Sequence, residues 1–142
     1  MNTPLPLLVS TTFVVLALWH VHMALGPMSG ESGGVPSVEG KPLFVPSRSA
    51  TLAVAVVLCL FAGLVAATAH LIEVGVSQVV LSVASYLLAL GLLARAIGEF
   101  KYVGFFKRVR ASKFARLDTL VYSPVCLALS AGVALVAYKH AI

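Results

Sequence analysis

The sequence predicts an all-α integral membrane protein: a four-transmembrane-helix bundle with the N-terminus and C-terminus both outside. Three observations carry this reading. Of the 142 residues, 60% are hydrophobic and 11% charged, where a soluble domain carries about a quarter charged residues. The apolar residues gather into four stretches, each close to the roughly 20 residues a helix needs to cross the hydrocarbon core. The basic residues crowd into one segment between the third and fourth stretches, which gives the bundle an orientation. A soluble monomer with so little polar surface would expose patches large enough to aggregate. The length suits one domain, residues 1–142.

The first span covers about residues 5–26 and is stopped by Gly26-Pro27. It has no basic n-region, and its apolar stretch is too long for the h-region of a secretory signal, so it reads as a retained helix. The second span covers about residues 50–70, the third about 76–98 and the fourth about 119–138. Backbone polar groups in lipid must bond within their own segment, so each span is a helix.

The loops set the topology. The first, residues 27–49, is rich in Gly, Pro and Ser, and its Glu31, Glu39, Lys41 and Arg48 cancel. Its glycines (Gly30, Gly33, Gly34) are followed by no Gly-Lys-Ser/Thr, so they form no phosphate cradle. The second is a tight turn around Glu73 and Gly75. The third, residues 99–118, sets Lys101, Lys107, Arg108, Arg110, Lys113 and Arg116 against Glu99 and Asp118. The positive-inside rule places it, and therefore the first loop, in the cytoplasm of a multi-pass protein of the cytoplasmic (inner) membrane. Phe100, Tyr102, Phe105, Phe106 and Phe114 interleave with those cations. The expected role of Lys107, Arg108 and Arg110 is at the membrane surface, where they attract anionic lipid. The net charge of +5 is explained by this topology, and the aromatic and arginine platform of nucleic-acid binders is missing.

Ionisable groups within spans are costly and are functional candidates by default. By depth, His20 and His22 in the first span, Arg95 and Glu99 in the third, and Asp118 and Tyr122 in the fourth all fall in one layer at the cytoplasmic side. Arg95 and Glu99, and likewise Asp118 and Tyr122, are four residues apart and share a helix face. The candidate ligand-binding residues are therefore His20, Arg95, Glu99, Asp118 and Tyr122. Arg95 is the fixed cation that grips a carboxylate or phosphate, or else a tie to Glu99 or Asp118. His20 is a proton shuttle. His22 sits beside Trp19 at the interface.

Pro124 either kinks the fourth span or stands at the start of its helix. At the other side of the membrane, His70, Glu73 and His140 read as interfacial residues; no metal site is assigned, and the sequence leaves any cofactor unknown. Cys59 and Cys126 form no C-x-x-C and read as small hydrophobes. Gly63 with Ala67, and Ala128 with Gly132, have the four-residue spacing that seats helix on helix.

Two segments carry a family resemblance. Arg95-Ala96-Ile97-Gly98-Glu99-Phe100 is followed by Val103-Gly104-Phe105-Phe106-Lys107-Arg108. Then come Phe114-Ala115-Arg116-Leu117-Asp118-Thr119 and Tyr122-Ser123-Pro124. Together they closely resemble the uncharacterised bacterial family called domain-of-unknown-function 3995. His20-Val21-His22-Met23-Ala24-Leu25-Gly26 resembles its first-span ending, except that an aromatic is expected at His22 or Met23. The resemblance spans nearly the whole chain. It implies a small four-span membrane protein and no particular activity.

Three functions are weighed. The first is a polytopic membrane protein that binds a lipid, a small amphipathic ligand or a partner subunit at the cytoplasmic polar layer. The second is a membrane enzyme acting on a lipid-soluble substrate, against which stands the lack of a redox pair, metal cluster or nucleophile elbow. The third is a small transporter working as a homo-oligomer, because the midplane of one copy is apolar.

Overall fold

The computed structural model describes residues 4–26, 34–39 and 41–141. The chain forms α1 (Pro4–Leu25), a two-residue hairpin of β1 (Ser37–Val38) and β2 (Lys41–Pro42), α2 (Arg48–Thr68) and α3 (Gln78–Ile97). After the third loop come α4 (Lys113–Leu117), a π turn (Asp118–Tyr122) and α5 (Ser123–His140). Four helical segments are long and apolar enough to cross a membrane: α1, α2, α3 and the continuous run Lys113–His140. Residues 27–33 of the first loop, with Gly30, Glu31 and Gly33, lie outside the described residues.

Each helix begins and ends for local reasons. Ser47 caps α2 by accepting from the Ala50 N–H, and Ser77 caps α3 by accepting from the Val80 N–H, relieving donors that have no partner inside the helix. The end of α2 is a Schellman turn. His70 takes the left-handed conformation (φ +58°), its N–H bonds the Ala67 carbonyl, and the Leu71 N–H bonds the Ala66 carbonyl. Helix α3 stops at Gly98, whose φ of +84° is readily adopted only by glycine.

The helices pack as two pairs, α1 on α2 and α3 on α5, which then meet along the bundle axis. Phe13, Val65, Val133 and Val136 are wholly buried where the pairs meet. The Phe13 and Phe61 rings pack edge to face with centroids 5.7 Å apart. Gly132 lets α5 approach α1 closely, since a Cβ there would stand 2.8 Å from a Val9 methyl. Gly63 has open space where a side chain would be and Ala128 is exposed, whereas Ala67 is buried in the bundle.

Short polar side chains tie the helices together. Thr68 and Ser85 share a hydrogen bond of 2.8 Å between α2 and α3, Ser130 donates to the Ala89 carbonyl (2.7 Å), and Ser10 donates to the Ala62 carbonyl (3.2 Å). Such bonds within a membrane bundle average about 0.6 kcal/mol each. The outer faces carry Leu8, Val15, Leu18, Leu60, Leu87 and Leu90, all more than half exposed, as suits helices whose solvent is lipid.

Candidate functional site

The third loop is a folded unit rather than a ribbon lying on a surface. The Phe105 N–H bonds the Ala96 carbonyl at 2.8 Å, carrying the loop back onto the last turn of α3. The Arg108 and Val109 N–H groups both bond the Lys101 carbonyl. Two glycines permit this path. Gly98 and Gly104 have φ of +84° and +90°, and their backbones touch: a Cβ on Gly98 would overlap the Val103 carbonyl, and one on Gly104 would overlap the Ile97 carbonyl. Arg110 clasps the loop from outside, donating to the Lys107 carbonyl (3.0 Å) and the Phe105 carbonyl (3.2 Å).

Asp118 closes the unit. Its side chain is 0% exposed, and it stands at the start of a π turn, where the Ser123 N–H bonds the Asp118 carbonyl five residues back. The widened turn ends two residues before Pro124, so the missing N–H of the proline falls at the seam between two helical registers. Asp118 Oδ1 accepts from Arg95 Nη2 (2.8 Å) and from the Ser123 hydroxyl (3.1 Å). Oδ2 accepts from the Gly104 N–H (2.6 Å) and lies 3.2 Å from Lys107 Nζ. One carboxylate thus joins α3, the loop and the start of α5, and its four acceptor positions are all used. It has no free lone pair with which to take a proton from a substrate.

Lys107 is as deeply buried as Asp118. Besides the carboxylate it donates to the Gly104 carbonyl (2.8 Å) and to the Thr119 hydroxyl, which occupies all three of its hydrogens. This corrects the surface role expected for Lys107, whose place in a run of basic residues suggested solvent. Arg108 does face outward, and Arg110 is exposed while bonded to the loop carbonyls.

Arg95 behaves differently. Its side chain is 33% exposed. Nη2 is committed to Asp118, whereas Nη1 is buried and has no hydrogen-bond partner among the described residues. Arg95 and Lys107 bring two positive charges against the one negative charge of Asp118, so the node holds one positive charge in excess.

Of the other expected members of the layer, Glu99 and His20 are bonded elsewhere, while Tyr122 stands close enough to Arg95 and Asp118 to feel both charges. Glu99 is four residues after Arg95, but Gly98 ends the helix between them, so the shared face does not exist. Its carboxylate instead accepts from the Tyr102 and Val103 N–H groups and fixes the first turn of the loop. His20 Nδ1 bonds the Leu16 carbonyl of its own helix at 2.7 Å, because α1 packs chiefly on α2 rather than on the α3–α5 pair. The Trp19 and His22 rings lie 5.7 Å apart. The Tyr122 ring packs beside Phe114 at 5.8 Å.

At the opposite end of the bundle, the His70 and His140 rings meet edge to face at 6.1 Å, and Gln78 bridges the Thr68 and His140 carbonyls. Among the described residues no three His, Cys, Asp or Glu side chains gather closely enough to hold a metal ion.

Sequence reasoning found Arg95 and Asp118 and missed Lys107, Gly104, Thr119 and Ser123. The pair of glycines six residues apart was the signal for Gly104, and no spacing marks Lys107, Thr119 or Ser123. No curated protein and no solved structure matches the chain. The family model described as protein of unknown function (DUF3995) matches residues 13–133, a stretch that holds every residue of the node. The chain is a member of that family, and the matched stretch contains the Arg95–Lys107–Asp118 node.

Proposed function

We propose that this is a non-enzymatic membrane protein that binds an anionic amphiphile at the end of the bundle closed by the third loop, with Arg95 as the headgroup ligand. One observation carries the reading: the buried Nη1 of Arg95, unpartnered beside a node with one uncompensated positive charge. A buried donor left unpaired costs about 1–3 kcal/mol, and more when charged. An anionic group brought to Nη1 recovers that cost and neutralises the excess charge. Guanidinium suits the task because it stays charged and offers one edge to Asp118 while a second nitrogen remains for the ligand.

The same reading places this end of the bundle in the cytoplasm and the protein in the cytoplasmic membrane. Lys101, Arg108, Lys113 and Arg116 are exposed around the node, the bias that holds a loop on the inner side. They also raise the local concentration of anionic lipid.

The test is lipid retention by the purified protein in mild detergent, read by native mass spectrometry. Arg95→Lys keeps a cation for Asp118 and removes the second nitrogen. The wild type is expected to retain anionic over zwitterionic amphiphiles and the variant to lose that preference. Equal retention of both classes by the wild type overturns the reading.

A further inference from the structure

A groove of about 610 Å³ opens between α2 and α3, lined by Phe61 and Leu64 on one side and by Ala84, Leu88, Gly91 and Leu92 on the other. It exists because α2 and α3 belong to different helix pairs and touch along only part of their length. Its floor is kept low by Gly91, where a side chain would meet nothing. The groove and Arg95 share one face of α3, with Arg95 one turn beyond the Gly91 end of the lining. Ala84, Leu88, Gly91 and Arg95 are spaced by four, three and four residues, the repeat that keeps positions on one helix face. From Ala84 to Arg95 the helix rises about 16 Å, roughly half the thickness of the hydrocarbon core. The groove therefore runs from mid-bilayer toward the level of Arg95, the residue that carries the unpartnered guanidinium nitrogen.

We infer that this groove seats one acyl chain of an anionic phospholipid whose phosphate takes the free Nη1 of Arg95. The inference rests on the headgroup reading above and adds the seat of the chain and the class of lipid. An apolar slot open to the bilayer would fill with any chain, and the charge above its end is what selects among lipids. A phosphodiester is ionised throughout the physiological pH range and presents two anionic oxygens to a guanidinium. Phospholipid phosphates also already lie at the depth where a snorkelling arginine reaches the headgroups.

The test separates the chain from the headgroup. The full-length protein in mild detergent is incubated with phosphatidylglycerol, phosphatidylcholine of the same chains, or oleate, and bound lipid is read by native mass spectrometry. Gly91→Phe fills the groove without touching the node. Leu90→Phe, one residue before it and already exposed, is the control for adding a ring to α3. The wild type is expected to retain phosphatidylglycerol over phosphatidylcholine by about tenfold, the size of one charge-assisted hydrogen bond. Gly91→Phe is expected to lose that retention, Leu90→Phe to keep it, and Arg95→Lys to lose the preference. If Gly91→Phe retains phosphatidylglycerol like the wild type while Arg95→Lys does not, the groove is overturned and the headgroup reading stands. Retention of oleate without phosphatidylglycerol overturns the phospholipid assignment. No preference in the wild type overturns both.

Discussion

Replacing Asp118 with Asn tests whether the third loop is welded to the bundle by a single buried charge. The amide has nearly the same shape, and one oxygen still accepts from Arg95 or Ser123. The other position becomes an NH₂ group facing the Gly104 N–H and Lys107 Nζ, which stand 2.6 and 3.2 Å from it in the native protein. Three donors then converge with no acceptor, and Lys107, wholly buried, has lost its counter-charge. Removing one partner of a buried ion pair costs about 3–5 kcal/mol. By contrast, Ser123→Ala deletes one neutral donor to the same carboxylate (3.1 Å) and costs about 1 kcal/mol. Reversible unfolding in mixed micelles with increasing dodecyl sulfate, followed by circular dichroism, measures both. The double variant Asp118→Asn with Lys107→Met removes the stranded cation together with its partner. Its loss is expected to fall short of the sum of the two single losses by about 1–3 kcal/mol. Strict additivity, or an Asp118→Asn loss no larger than that of Ser123→Ala, would refute the claim that Asp118 is the anion holding Lys107 in place.

Three other outcomes are expected. Gly98→Ala and Gly104→Ala each place a methyl group inside a neighbouring carbonyl at a positive φ. Both are expected to release the loop, read as protease cleavage within residues 99–112 that the wild type resists. Gly132→Ala forces Cβ against a Val9 methyl at 2.8 Å, whereas Gly63→Ala meets open space. The first is expected to cost about 1–3 kcal/mol by overpacking and the second to be neutral or slightly stabilising, in the same unfolding assay. On a background with Cys59 and Cys126 replaced by Ala, Arg108→Cys is expected to resist a membrane-impermeant thiol reagent in intact cells and to react after lysis. Labelling in intact cells would reverse the orientation.

The four spans were legible because length and hydropathy act over twenty residues at a time, and no local detail reverses them. The Arg95–Asp118 pair was legible only as one of two alternatives, because depth brought both Glu99 and Asp118 to the layer of Arg95. Glu99 was misplaced because the i, i+4 rule holds only within a helix, and the Gly98 cap intervenes. His20 was misplaced because depth does not fix which helix faces which, and α1 turns its buried side to α2. Lys107 was hidden by its neighbours. Among six basic residues in one loop, nothing in the spacing marks the one whose stem turns inward, and its burial depends on a backbone path that two positive-φ glycines allow. The π turn is a compromise between helical registers beside Pro124, and hydrophobic periodicity carries no mark of it.

The central claim is that Arg95 holds a free valence for an anion, and the most direct measurement is the stability of the protein against the fraction of anionic lipid in the micelle. A ligand that binds only the folded state raises stability with the logarithm of its concentration once sites begin to fill. The account predicts that the wild type gains stability as phosphatidylglycerol replaces phosphatidylcholine at constant total lipid. It predicts that Arg95→Lys, with its ion pair to Asp118 kept and its second nitrogen gone, gains nothing. Equal gains in the two proteins, or none in the wild type, would contradict it.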